Sequence, residues 1–263
     1  MEIYEILVPI IKEAGKIILN AYDSDAENQA SEKFGDANFV TVYDVKTQNF
    51  LISEIKAAIP DAEFIAEEKD NDSSVLNAKY CFVIDPIDGT TNFMHNYKQS
   101  CISVAVFSFG EPIFGAIYDP YLDEMFYAEK NMGAYVNGKR ITVSSRNIDK
   151  AVISYGTSPY YKSELGHKTF GLCKDLFDMA GDVRRTGSAA IDLAYLASGR
   201  TDGFFEFRLS PWDFAAGRVL ISEAGGIITD MNGDEIKFSA PSSVIAANKS
   251  VYPYILEKAK KYI

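Results

Sequence analysis

Residues 83–92 read Val-Ile-Asp-Pro-Ile-Asp-Gly-Thr-Thr-Asn and place two carboxylates, Asp85 and Asp88, three positions apart. Pro86 fixes the backbone between them, and Gly89 removes a side chain just after them. The apolar run Tyr80-Cys81-Phe82-Val83-Ile84 leads in as a buried strand, and Thr90-Thr91-Asn92 reads as the first turn of a helix. A strand end of this kind delivers two hard oxygen ligands beside helix N–H groups that are free to bind an anion. Hard ligands next to an anion site are the chemistry of Mg²⁺ with a phosphate. Taken alone, the segment is better read as an acidic turn, because Asp, Pro and Gly all favour turns.

Other acids bear on that choice. Glu67 and Glu68 close an expected strand at 63–66, and two strand ends lying side by side in one sheet would bring their carboxylates to one edge. Glu67-Glu68-Lys69-Asp70 also reads as a plain solvated charge run. In Pro211-Trp212-Asp213-Phe214-Ala215-Ala216-Gly217, Asp213 opens a helix of apolar and small residues beside the only Trp of the chain. It suits either a helix cap or a buried metal edge. Gly187-Ser188-Ala189-Ala190 opens another helix with small residues, which permits close backbone approach or tight helix packing. Asp44 reads as an N-cap. His95 and His167 have no partner at ligand spacing, and no Ser-His-Asp or Cys-His set is present. Water is therefore favoured over a side chain as nucleophile.

The elements that must position these groups follow from periodicity. Residues 3–21 carry apolar side chains at Ile3, Ile6, Leu7, Ile10, Ile11, Ala14, Ile17, Ile18 and Ala21, the pattern of an amphipathic helix. Asp23 to Asn38 is polar and reads as a mobile loop. A second helix runs from Asp44 to about Ala58. Strands are expected at 100–108, 112–118 and 123–129, with a hairpin turn at Asn137-Gly138. The polar stretch Ser144 to Lys150 is the best boundary, dividing the chain into 1–146, an α+β unit, and 147–263, an α/β unit. In the second unit strands are expected at 151–155, 183–186, 203–207, 227–229 and 243–246. Helices are expected near 162–179, 188–198, 212–224 and 251–262. There are no internal repeats.

Composition narrows the partners. With 263 residues the chain has ample core, and 47% hydrophobic content is ordinary for a globular protein. No apolar stretch approaches membrane-spanning length, and the acidic, amphipathic N-terminus is unlike a signal peptide. Cys81, Cys101 and Cys173 have no metal-ligand spacing, so reduced thiols in a cytoplasmic protein are the simplest account. A net charge of −11 argues against a nucleic-acid surface. It also means that bound Mg²⁺ must override the global field for a phosphate to bind, which it can do because remote charge is screened within about 8 Å.

Together, Glu67-Glu68, Asp85 to Asn92, Gly187 to Ala190 and Trp212 to Gly217 resemble, in order and rough spacing, the inositol monophosphatase family of Mg²⁺-dependent, lithium-sensitive sugar phosphatases. The resemblance covers almost the whole chain. It implies a layered αβαβα sandwich, a homodimer and two to three Mg²⁺ ions. It assigns Glu67, Asp85 and the Ile87 carbonyl to a first metal, and Asp85, Asp88 and Asp213 to a second. It pairs Asp44 with the Thr90 hydroxyl and makes Glu67 and Thr90 the activators of water. The Gly89 and Thr90 N–H groups would hold phosphate, and Gly187, Ser188, Ala189 and Glu206 would face substrate. Lys33 would lie near a loosely held third metal. The implied substrate is inositol 1-phosphate or a related sugar or polyol phosphate, with fructose 1,6-bisphosphate close behind. Adenosine 3′,5′-bisphosphate is disfavoured because no basic cluster is evident for a second phosphate. Nicotinamide dinucleotide phosphates and a non-catalytic regulatory binding role are the remaining alternatives.

Overall fold

The computed structural model describes residues 3–21, 30–32 and 39–263. Helix α1 (Ile3–Asn20) buries Leu7, Ile11, Ala14 and Ile18, one stripe at helical spacing. Strands β1 (Ala30–Glu32) and β2 (Phe39–Thr41) pair antiparallel and lead into α2 (Val42–Ala58). The remainder of the 23–38 loop, with Lys33, lies outside the described residues. The cap of α2 is Thr41 rather than Asp44. Thr41 Oγ1 accepts from the Tyr43 and Asp44 N–H groups, and the Thr41 N–H donates to Asp44 Oδ2 at 2.7 Å. Asp44 is thus the third residue of a reciprocal capping box.

Seven strands follow: β3 (Ala62–Ala66), β4 (Tyr80–Asp88), β5 (Cys101–Ser108), β6 (Glu111–Asp119), β7 (Glu124–Glu129), β8 (Gly133–Val136) and β9 (Lys139–Ile141). They form one sheet in that order, antiparallel except for the parallel β3–β4 pair. The expected Asn137-Gly138 turn joins β8 to β9, with both residues at positive φ. A five-residue helix, α3 (Thr90–Met94), connects β4 to β5.

The rest of the chain alternates: β10 (Val152–Tyr155), α4 (Lys162–Phe177), β11 (Asp182–Arg184), α5 (Ala189–Ala197), β12 (Gly203–Leu209), α6 (Pro211–Glu223), β13 (Ile227–Thr229), β14 (Ser242–Ala247) and α7 (Tyr252–Ala259). The second sheet has the order β11-β10-β12-β14-β13, parallel at β11-β10-β12 and antiparallel beyond.

Helices α1 and α2 cover the outer face of the seven-stranded sheet, α5 and α6 fill the space between the sheets, and α4 and α7 cover the far face of the second sheet. The result is the expected αβαβα layering. Strand β4 is buried on both faces, and this explains its unbroken apolar run. Phe82, Ile84 and Ile87 face the core under α1 and α2, while Cys81 and Val83 face the core shared with α5 and α6. The small residues of α6 have a packing reason. A Cβ on Gly217 would meet Leu193 of α5 at 2.4 Å, and Ala216 presses against Gly115 of β6 at a distance that leaves no room for a Cβ there.

Candidate active site

Parallel pairing of β3 with β4 matches Ala66 to Ile84, and the Glu67 N–H donates to the Ile84 carbonyl at 3.2 Å. Glu67 therefore leaves its strand beside Asp85, as two adjacent parallel strand ends require. Strand β4 does not stop at Pro86. It continues through Asp88 with a bulge, pairing Asp85 with Ser103 and Asp88 with Cys101. Proline is tolerated there because a bulge leaves a residue out of the ladder. The Ile87 N–H turns back to Asp85 Oδ1 at 3.0 Å and fixes that carboxylate.

Asp88 is fixed from across the molecule. Its Oδ2 accepts from Ser188 Oγ at 2.6 Å and from the Ala190 N–H at 2.7 Å, both at the start of α5. Asp213 is the third residue of another capping box, in which the Ser210 N–H donates to its Oδ2 at 2.7 Å. The cap of α6 is Ser210, with Asp213 as its reciprocal partner, and Asp213 also presents a carboxylate oxygen to the acidic cluster. Oxygens of Asp85, Asp88 and Asp213 lie within 4.8 Å of one another, a donor set that fits a hard divalent cation. Glu67 stands beside this trio and hydrogen-bonds Asp85.

Like charges crowd this end of the site. Burial, followed by the charges of Glu67, Asp88 and Asp213, holds the Asp85 carboxyl well above the usual range. Burial and the charges of Asp88 and Glu67 do the same to Asp213. Burial raises Asp88 only to about 6, because Ser188, Ala190 and the Gly89 N–H donate to its carboxylate. Thr90 Oγ1 lies 3.2 Å from both Asp44 Oδ1 and the Ile87 carbonyl, so the expected Asp44–Thr90 contact is present. Gly89 has φ +91°, and a Cβ there would meet the Gln99 carbonyl at 2.8 Å, so glycine is required.

These groups line a cavity of about 490 Å³. A model of the inositol monophosphatase family matches residues 1–263. The chain belongs to the inositol monophosphatase family. It is 36% identical over 252 residues to the Nus factor SuhB of Escherichia coli K12, covering 95% of this chain and 93% of that protein. It is 35% identical to the fructose-1,6-bisphosphatase/inositol-1-monophosphatase of Aquifex aeolicus, covering 95% of this chain and 92% of that one. Its structure is similar to that of an IMPase from Thermotoga maritima, with a TM-score of 0.89 at 29% identity over 100% of this chain and 98% of that one. The extragenic suppressor protein SuhB of Bartonella henselae gives 0.91 at 34% identity, covering 99% of each chain.

Within this inositol monophosphatase fold, Glu206 is the residue of the cavity's far wall that the resemblance implied, and the rest of that wall was not legible in the sequence. Glu206 of β12 lines it, buried and raised to about 7 chiefly by burial. Its Oε1 accepts from the Ser158 N–H at 2.8 Å and from Ser158 Oγ at 3.2 Å. Arg185, Arg208, Tyr160, Tyr161 and the buried Asp192 complete the wall. No basic cluster for a second phosphate was evident in the sequence, yet two arginines line this cavity. They are 23 positions apart in the chain, and only the juxtaposition of β11 and β12 around β10 brings them together. Ser188, read as one of several small residues for close approach, has its hydroxyl committed to Asp88. Gly187 and Ala189 line the cavity beside it.

Proposed function

We propose that this protein is a Mg²⁺-dependent phosphate monoester hydrolase acting on inositol 1-phosphate or a related polyol phosphate, with water as nucleophile. The observation that carries the reading is the convergence of Asp85, Asp88 and Asp213 at the floor of a cavity of substrate size. Asp85, Asp88, Asp213, Glu67 and the Ile87 carbonyl would hold the metal. Bound there, Mg²⁺ would supply positive charge that activates water and stabilises the leaving alkoxide. Thr90 Oγ1, donating to Asp44 Oδ1, keeps a lone pair for a water proton, and Glu67 is the carboxylate placed to take the second interaction. The water oxygen attacks phosphorus, the bond from phosphorus to the alcohol oxygen breaks, and that oxygen leaves with a proton as the free polyol. The Thr90 N–H is available to a phosphoryl oxygen, while the Gly89 N–H also serves Asp88. The remaining oxygen of Glu206 would accept a substrate hydroxyl.

A second reading, hydrolysis of a sugar bisphosphate such as fructose 1,6-bisphosphate, is favoured by Arg185 and Arg208 on the cavity wall and by the printed name of the Aquifex relative. The Nus factor name of the Escherichia coli relative raises a regulatory binding role, against which the assembled acidic cluster weighs. We further propose a cytoplasmic homodimer inhibited by lithium. No helix among the described residues is long and apolar enough to cross a membrane. The test is phosphate release from a panel of polyol and sugar phosphates, with Mg²⁺ and with EDTA. Release from inositol 1-phosphate that requires Mg²⁺ supports the reading, and no Mg²⁺-dependent release from any compound would overturn it.

A further inference from the structure

The segment between β10 and α4 is tied down unusually firmly for a loop. The Gly156 N–H donates to the Phe205 carbonyl at 3.0 Å. Ser158 adopts a left-handed conformation, φ +42° and ψ +62°, which a residue with a side chain rarely holds without support. The support is visible: its N–H and hydroxyl reach Glu206 Oε1, and its hydroxyl also reaches the Arg208 carbonyl at 3.1 Å. Arg185 Nη2 donates to Thr157 Oγ1 at 3.1 Å, and the Arg208 guanidinium lies 4.5 Å from the Tyr161 ring centroid. Glu206 packs so closely on Gly156 that any Cβ there would overlap the carboxylate. Every one of these contacts lies on the flanks of Tyr160, and none is made by Tyr160 itself.

Tyr160 lines the same cavity as Glu67, Asp85, Asp88 and Asp213. Its ring is half exposed at the mouth, yet its hydroxyl is held well above the usual phenol range, first by burial and then by Glu67, Asp213, Asp85 and Asp88. The hydroxyl is a protonated donor in the cavity that these carboxylates share. Among the described residues it makes no hydrogen bond. A phenol O–H in one cavity with four carboxylates, hydrogen-bonded to none of the described residues, is placed to meet what those carboxylates bring in. We infer that Tyr160 is a substrate-contacting residue whose phenol O–H donates to the phosphoryl group of the phosphomonoester, held in place by the bracing of residues 156–161 against β12. The inference rests on the hydrolase reading and names a group that acts on the phosphoryl end of the substrate, whereas Glu206 acts on the alcohol end.

The test compares wild type, Tyr160→Phe and Tyr160→Ala. Phosphate release is measured with Mg²⁺ on inositol 1-phosphate, fructose 1,6-bisphosphate and glycerol 2-phosphate, and inorganic phosphate is titrated calorimetrically onto the Mg²⁺-loaded protein. Losing a hydrogen bond to a charged group should lower kcat/KM about 10-fold for all three substrates in Tyr160→Phe, and weaken phosphate binding by a similar factor. Tyr160→Ala should lose at least as much. The near-isosteric Phe variant keeps the ring and so separates the hydroxyl from loop packing. Phosphate binding unchanged within twofold in Tyr160→Phe would overturn the inference, and so would a loss confined to one substrate. If wild type hydrolyses none of the three while Tyr160→Phe still weakens phosphate binding, the hydrolase reading fails and the contact stands.

Discussion

The floor and the far wall of the cavity are built on opposite physical plans. The floor gathers Asp85, Asp88 and Asp213, and its carboxyls are raised first by burial, with repulsion from neighbouring carboxylates added at Asp85 and Asp213. The wall gathers Arg185, Arg208 and Tyr161, cationic and aromatic groups open to solvent, around the buried acids Asp192 and Glu206. A cation held by the floor would stabilise a dissociating phosphate ester whatever alcohol it carries. The wall meets the rest of the molecule and so separates one substrate from another. If this division of labour is correct, changes on the floor should remove turnover, and changes on the wall should redistribute it.

The largest effect is expected on the floor. Asp88→Asn should lower phosphate release by more than about 100-fold, beyond what losing a residue that merely supports a metal ligand costs, while the circular dichroism spectrum is kept. Near-normal turnover by Asp88→Asn would remove the floor from the chemistry. Next, Ser188→Ala should weaken Mg²⁺ activation about 10- to 100-fold, because it frees Asp88 Oδ2 from a 2.6 Å donor. A Mg²⁺ concentration dependence identical to wild type would show that α5 does not tune the floor. On the wall, Arg208→Ala should lower kcat/KM for fructose 1,6-bisphosphate about 10-fold more than for inositol 1-phosphate, the amount carried by a charge-assisted contact. Equal losses on both would show that the wall does not discriminate.

The smallest effect concerns pH. The Asp85, Asp88 and Asp213 carboxyls titrate higher in the folded protein than the ordinary value of 3.8, so without metal the folded state binds protons more tightly than the unfolded chain. Their contribution to stability is therefore lost as pH rises from about 4 through the folded values, the lowest of which is about 6. Mg²⁺ counters the repulsion that remains above that range. The rise in Tm on adding Mg²⁺ should be larger at pH 8 than at pH 5, by a few degrees in differential scanning fluorimetry. A rise that is larger at pH 5 would contradict the placement of the cation among these carboxylates.

The floor was legible in the sequence because most of it is local. A nine-residue strand and its bulge hold Asp85, Ile87 and Asp88 in one segment, and burial on both faces made that strand an unbroken apolar run. The parallel β3–β4 pair was inferable from two adjacent strand ends. The apolar run stops at Ile84, whereas the strand continues through Asp88, because the bulge leaves the missing N–H of Pro86 unneeded. Asp44 was placed one helical turn too early, because Thr41 and Asp44 are both good capping types, and only the reciprocal bonds decide between them. Apart from Glu206 the wall was not legible, because its arginines and its tyrosines come from three segments whose proximity depends on the order of the second sheet. No periodicity or spacing in a single segment encodes that order.

The two capping boxes have a consequence for descent. Asp44 and Asp213 each give one oxygen to the start of a helix and direct the other toward the site. A lineage that stopped needing turnover would still be penalised, by about 1 kcal/mol of helix stability, for losing either. Asp85 is under the opposite pressure, since without a cation a buried, repelled carboxylate weakens the fold that contains it. Among descendants that bind instead of catalyse, Asp85 would be the first acid to drift, and the capping acids would persist as relics. The presence of Asp85 in this chain therefore says more about turnover than the presence of Asp44 or Asp213 does.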